Sequence, residues 1–321
     1  MIVADHPVFQ ALVPVFLLIA AGWVAGWRGW IGAAAVKDLS NLVFVLLIPA
    51  LLFRTMSQVR LEQLDWRPIA AYFSAVLPWF ALQIMAWGWH PRGIVLALGG
   101  TFSNLVMIGI ALVGLAYGQA GVVTLLTLIA VHALILLTLA SVALELAEAR
   151  AQDGGAAALS RARVLRTALG ALRAAVIHPI PLPIACGLAW GALGWPLPDV
   201  VDRPLHLLGQ AFGPLALVLV GISLAHTPLA GRWGTALRVA LAKNIVLPVL
   251  VALCAWAWGL RGLPWTVLVV AAGVPVGANV FLFAQRYRVA QEDVTAATAV
   301  STALAVPTLS AWMLLTAALT R

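Results

Sequence analysis

Two short runs in this chain combine helix-breaking residues with side chains able to hold a ligand. The first is Gly99-Gly100-Thr101-Phe102-Ser103-Asn104, and the second is Gly273-Val274-Pro275-Val276-Gly277-Ala278-Asn279. Each falls in the middle of an apolar stretch and is followed by a fresh apolar run. Glycine weakens a helix and proline removes a backbone donor, so both runs are expected to open one. Asparagine is a strong N-cap residue, so Asn104 and Asn279 read as caps on two restarted half-helices. Such N-termini carry about half a positive charge and point N–H groups outward. Brought together, with Ser103, Pro275 and Gly277 beside them, they would suit an anion such as a carboxylate. Lys243 is the one basic residue well inside an apolar stretch. It would attract an anion, gate it by titrating, or snorkel to the interface. His132 is also central in its stretch, fit either to relay a proton or to serve as a hydrogen-bonded structural histidine.

Other chemistry is not indicated. No Asp or Glu falls deep in an apolar stretch, which argues against a cationic substrate and weakens a sodium-coupled reading. There is no phosphate-binding loop, no HExxH and no GxSxG. No metal or cofactor is therefore expected, and the chain does not read as an enzyme. Cys186 and Cys254 both lie in apolar segments and suggest neither a disulfide framework nor a thiolate site.

The elements that must position these residues are membrane helices. Of 321 residues, 63% are hydrophobic and 9% charged, against about a quarter charged in soluble domains. That charge is too little to cover a water-facing surface. About 20 apolar residues in a helix cross a bilayer, and ten such spans are expected: 8–28, 36–56, 67–89, 92–117, 120–146, 176–195, 203–227, 235–259, 264–287 and 293–319. The first lacks a basic leader and a cleavage site, so it reads as a permanent helix. Loops after odd-numbered spans hold twelve of the Lys and Arg residues and the other side six. The positive-inside rule then places the long basic loop 147–175 in the cytoplasm and both termini outside, in an inner (plasma) membrane. The net charge of +8 fits membrane orientation rather than nucleic acid. Many of the 14 tryptophans fall near span ends, as in an interfacial belt.

The spans repeat. Shifted by 165 residues, Pro14 falls on Pro179, Gly22 on Gly187, Gly26 on Gly191, Gly29 on Gly194, Trp30 on Trp195 and Pro49 on Pro214. Shifts of about 170 and 175 align Pro78 with Pro248 and Asn104 with Asn279. Five spans per half is odd, so the second copy must enter the membrane from the opposite face. The expected fold is an all-α membrane protein of two inverted five-helix repeats, residues 1–146 and 176–321, with broken, crossing helices 4 and 9. Gly22-x-x-x-Gly26 and Gly187-x-x-x-Gly191 mark close helix packing, within a scaffold or across a dimer.

Residue patterns along nearly the whole chain resemble the auxin efflux carrier family. They are Val13-Pro14-Val15-Phe16 with Gly22, Asn41 through Pro49-Ala50-Leu51-Leu52-Phe53, Ser103-Asn104 with Gly109, Lys243 to Pro248, and Pro275 to Asn279 with Tyr287. The resemblance is specifically to bacterial members, several of them described as malonate or other dicarboxylate carriers. It implies a homodimer-forming scaffold of helices 1, 2, 6 and 7 and a mobile transport domain of helices 3–5 and 8–10. It also implies elevator-like movement, with Asn104, Pro275 and Asn279 at the crossover. The chain departs from the pattern at Ile110-Ala111, where relatives often carry a proline. The expected function is secondary transport of a small organic anion, a mono- or dicarboxylate, across the membrane. The rival expectations are a sodium-coupled symporter of the bile-acid type and a membrane sensor or intramembrane enzyme that moves nothing.

Overall fold

A computed structural model describes residues 7–59, 65–152, 181–226 and 233–320. Its elements are α-helices, which suits apolar surroundings because every backbone group in a helix interior is paired within its own segment. They are α1 (Pro7–Trp27), α2 (Ala33–Ser57), α3 (Arg67–Trp87), α4 (Pro91–Gly99), α5 (Ile110–Gln152), α6 (Pro181–Ala192), α7 (Asp199–Ala225), α8 (Trp233–Ala257), α9 (Gly262–Gly273), α10 (Asn279–Arg286) and α11 (Gln291–Leu319). Six segments are long and apolar enough to cross a bilayer: Ala33–Ser57, Arg67–Trp87, Leu105–Glu148, Asp199–Ala225, Trp233–Ala257 and Gln291–Leu319. Leu12–Trp27, Leu182–Ala192 and Gly262–Gly273 are shorter apolar helices.

The apolar segment Leu105–Glu148 is two helices joined at Gly118, whose φ of 61° only glycine adopts readily. The chain folds back there: a Cβ on Gly109 would lie 3.6 Å from Leu125 Cδ2, and one on Gly114 3.5 Å from Val122 Cγ2. The expected boundary between residues 117 and 120 falls at this junction. One expectation needs correction: α5 runs on to Gln152, into the stretch expected to be loop. The rest of that stretch, with Asp153-Gly154-Gly155 and the arginines 161–173, lies outside the described residues, as does Pro179.

The described residues form two compact units. One holds α1, α2, Leu105–Ala130, α6 and α7; the other holds α3 from Ile69, the chain to Asn104, the rest of α5, and α8 to α11. In the first unit α1 packs along α7, and the second half of α2 packs along α6. The small-residue motifs govern both contacts. A Cβ on Gly22 would overlap the Val218 carbonyl, and one on Gly26 would lie 2.8 Å from Ala225 Cβ. A Cβ on Gly187 would lie 2.6 Å from the Phe53 carbonyl oxygen, and one on Gly191 2.7 Å from that of Val59. The two motif-bearing helices therefore do not pack on each other. Each packs on another helix of its own unit.

In the second unit α8 packs on both α9 and α11. α8 is not a regular rod. It widens into a π turn at Ala242–Val246, immediately before Pro248, and α2 does the same at Val43–Leu47 before Pro49. Proline cannot donate to the carbonyl four residues back, and its ring crowds that carbonyl. A wider turn relieves the clash. In α8 the Asn244 carbonyl, deprived of its usual donor, accepts from the Trp312 indole N–H at 2.9 Å.

Replacing Gly22 or Gly187 by valine should lower stability by about 1–3 kcal/mol through overpacking. Gly234→Ala, where nothing lies within 4 Å of the added Cβ, should not lower it. Thermal unfolding of the detergent-purified chain checks both.

Candidate functional site

Both central runs are interruptions of apolar helices, and they meet. α4 ends at Gly99 and Gly100, and the chain then runs through Thr101–Asn104 before the π turn at Leu105–Gly109. The hydroxyl of Thr101 donates back to the Ala97 carbonyl at 2.8 Å, a side-chain bond that competes with helix continuation. α9 ends at Gly273. Val274 turns extended (φ −61°, ψ 140°), as a residue before proline is driven to do. The two extended strips lie antiparallel. The Asn104 N–H donates to the Pro275 carbonyl at 2.8 Å, and the Gly277 N–H donates to the Phe102 carbonyl at 2.9 Å. Ser103 faces Val276 as an isolated β-bridge. Gly277 is required for this approach, because a Cβ there would lie 2.6 Å from the Phe102 ring.

The remaining backbone groups of the second interruption are met by side chains. Lys243, fully buried, reaches from the π turn of α8. Its Nζ donates to the carbonyls of Ala272 at 2.5 Å and Val274 at 2.6 Å. These belong to the last turn of α9, where carbonyls lack helical partners and the helix dipole favours a cation. Lys243 thus does not snorkel; it caps a broken helix from inside. The Val276 N–H donates to Ser301 Oγ at 3.0 Å, and that hydroxyl donates to Asn244 Oδ1 at 2.7 Å. Asn244 Nδ2 closes the loop on the Ser301 carbonyl at 2.8 Å. At the first interruption the Trp79 indole N–H donates to the Gly100 carbonyl at 3.0 Å. An unmet buried backbone group costs about 1–3 kcal/mol, so this cage is what lets two helices stay open.

Asn104 and Asn279 differ from their surroundings. Both are half-buried, while Thr101–Ser103 and Gly273–Gly277 are buried. Asn104 immediately precedes the restarted helix at Leu105. The expected cap at Asn279 needs correction. Ala278 holds the N-cap position of α10 with no side-chain bond, and Asn279 is already the first helical residue. Tight bonds from Val280 N–H to the Gly277 carbonyl and from Phe281 N–H to the Ala278 carbonyl start the turn early.

His132 is buried against the Phe102 ring, 4.6 Å between centroids, and its two ring nitrogens meet no hydrogen-bond partner among the described residues. The expected alternative, a hydrogen-bonded structural histidine, is therefore not what the ring does here. Sequence reasoning missed Tyr72, which packs edge-on against His132 at 5.7 Å, and Ser301. Tyr72 carries no signal, because it lies near the start of Arg67–Trp87, where a tyrosine is ordinary. Ser301 carries none either, being one hydroxyl among several on α11. Among the described residues no group of His, Cys, Asp and Glu is arranged to hold a metal ion.

A family model described as "Membrane transport protein" matches residues 7–313. The chain is 28% identical over 307 residues to a Rhizobium meliloti (strain 1021) protein named "Putative malonate transporter", covering 93% of this chain and 92% of that one. It is 22% identical over 357 residues to auxin efflux carrier component 8 of Arabidopsis thaliana, covering 97% of each.

Ser301→Ala strips the Val276 N–H of its acceptor and Asn244 of its donor. It should cost about 1–3 kcal/mol for each buried group left unmet, whereas Ser310→Ala, on the exposed side of the same helix, should stay within about 0.5 kcal/mol. Denaturation midpoints of the two purified variants decide it.

Proposed function

Since the chain belongs to the membrane transport protein family that includes the auxin efflux carriers, and is a multi-pass membrane protein, we propose that it is a secondary transporter of a small organic anion. The observation that carries this reading is the buried Lys243 at the joined interruptions. Among the described residues no carboxylate pairs with it. A buried cation without a counter-charge is unfavourable in low dielectric, and an anion arriving at the interruption would supply one. The half-buried Asn104 and Asn279 flank the join, with amide groups suited to a carboxylate and the N-termini of restarted helices beside them. Ser103, Pro275 and Gly277 line the join beside them. The name of the Rhizobium relative supports malonate as the first anion to try.

The fold proposed with this function is ten spans in two inverted five-helix repeats. Paired features support it. α1 packs on α7 and α6 packs on α2, the pairing that exchanging the two halves would generate. Gly29 and Gly194, 165 residues apart, turn the chain with φ of 72° and 67°. The unit of α1, α2, α6 and α7 would be the scaffold, and a homodimer contact would form on it. The unit with the interruptions would carry the anion in an elevator-like movement. Lys243 and His132 are the groups proposed to couple transport to a proton. The membrane would be the inner (plasma) membrane, with both termini outside.

Proteoliposomes holding the purified chain should take up labelled malonate, at the same rate with sodium or choline outside. Asn104→Ala, Asn279→Ala and Lys243→Met should each slow uptake at least about tenfold, equivalent to ~1.4 kcal/mol. Undiminished uptake in all three variants would falsify the site, and a strict sodium requirement would favour the bile-acid type of symport.

A further inference from the structure

Beside the first interruption, three side chains from three different segments gather polar atoms that have no well-formed hydrogen bond. They are the Tyr72 hydroxyl from α3, the Ser103 hydroxyl from the interruption itself, and both ring nitrogens of His132 from α5. All four atoms are buried, and none has a hydrogen-bond partner among the described residues. Tyr72 is fully buried, and Ser103 and His132 are each 2% exposed. The Tyr72 and Ser103 hydroxyls are close enough to interact with each other, but they do not meet full hydrogen-bond geometry. The rings hold the group together: His132 is stacked aslant on Phe102 and edge-on to Tyr72.

Buried polar groups in folded proteins are almost always paired, and a cluster that is not calls for an occupant. The chemistry of the cluster selects it. Two hydroxyls and an imidazole N–H are neutral donors brought together from three segments, so they match an oxygen with several lone pairs. Among the described residues no carboxylate shares the cluster. Ser103 precedes Asn104 in the chain, so an oxygen held here and one held at Asn104 could belong to one small molecule.

We propose that Tyr72, Ser103 and His132 form a subsite for the second carboxylate of a small dicarboxylate, whose first carboxylate is held at Asn104 and Asn279. This deepens the anion-transport reading and rests on it. The subsite sets specificity: it separates a dicarboxylate from a molecule of the same size that ends in a neutral group. Aromatic walls of Phe102 and Tyr72 limit the length of the chain between the two carboxylates. In a site without mobile counter-ions, neutral donors release the second carboxylate more readily than a fixed cation would, which suits a carrier that must let go.

The experiment measures ligand-induced thermal stabilisation of the purified full chain with malonate and with malonamate, its half-amide. Wild-type protein is expected to bind malonate at least tenfold more tightly than malonamate. Tyr72→Phe and Ser103→Ala are each expected to remove most of that preference, weakening malonate while leaving malonamate affinity within twofold. Without ligand, Tyr72→Phe is expected to unfold at the wild-type temperature or above it, because it deletes a hydroxyl that has no partner. Two results overturn the subsite while leaving anion transport standing. One is a malonate preference that survives in both variants, as when a trapped water satisfies the cluster. The other is Tyr72→Phe unfolding at a lower temperature than wild type, which shows a structural partner for the hydroxyl. Failure of wild-type protein to bind either compound overturns the subsite together with the anion reading beneath it.

Discussion

An interrupted helix in apolar surroundings leaves N–H and C=O groups that water cannot reach, and the structure around the two interruptions is organised by that constraint. Each strip supplies part of what the other lacks: the Asn104 N–H goes to Pro275 and the Gly277 N–H to Phe102. What the strips cannot supply to each other comes from neighbouring helices. Lys243 serves Ala272 and Val274, Ser301 serves Val276, and Trp79 serves Gly100. The supporting residues have their own supports, as when Asn244 holds the Ser301 hydroxyl and Trp312 takes the Asn244 carbonyl. An open backbone inside a membrane protein is therefore a property of four or five helices acting together rather than of the glycines and prolines alone.

The same chain of dependence explains the irregularity of α8. Pro248 forces a π turn, and that turn contains both Lys243 and Asn244. Wide turns alter which side chains face inward relative to a regular helix. Here the two polar residues of the turn serve the α9 end and the α11 hydroxyl, and neither is exposed. A feature that looks like damage to one helix thus aims two side chains at the repair of another.

What the sequence makes legible follows from how local each cause is. The positions of both interruptions could be read directly, because Gly99-Gly100 and Pro275 act on their own backbone. The need for close packing at Gly22 and Gly187 could be read too, but not the partner. That depends on which helix presents a carbonyl at the right height, and here α7 and α2 do so. The direction of Lys243 was open for the same reason: depth along a helix does not say which way a long side chain points. Asn279 shows the limit of motif reading at a boundary, since two tight backbone bonds advance the helix start by one residue. Tyr72 and Ser301 were hidden because their importance comes wholly from neighbours more than twenty residues away in the chain. Expected turns and arginines between 153 and 180 fall on residues the structure does not describe.

The contact between Gly277 and the Phe102 ring has a consequence for how such a protein can diverge. If the two halves arose by duplication, their paired interruptions began as interchangeable. Once the ring of one half occupies the space where the other half would carry a Cβ, neither position is at liberty to change alone. A larger residue at 277 requires a smaller one at 102, which would also loosen the packing of that ring on His132. The two halves are then locked into complementary, unequal roles, and the ancestral symmetry survives in the path of the backbone while being forbidden in the side chains.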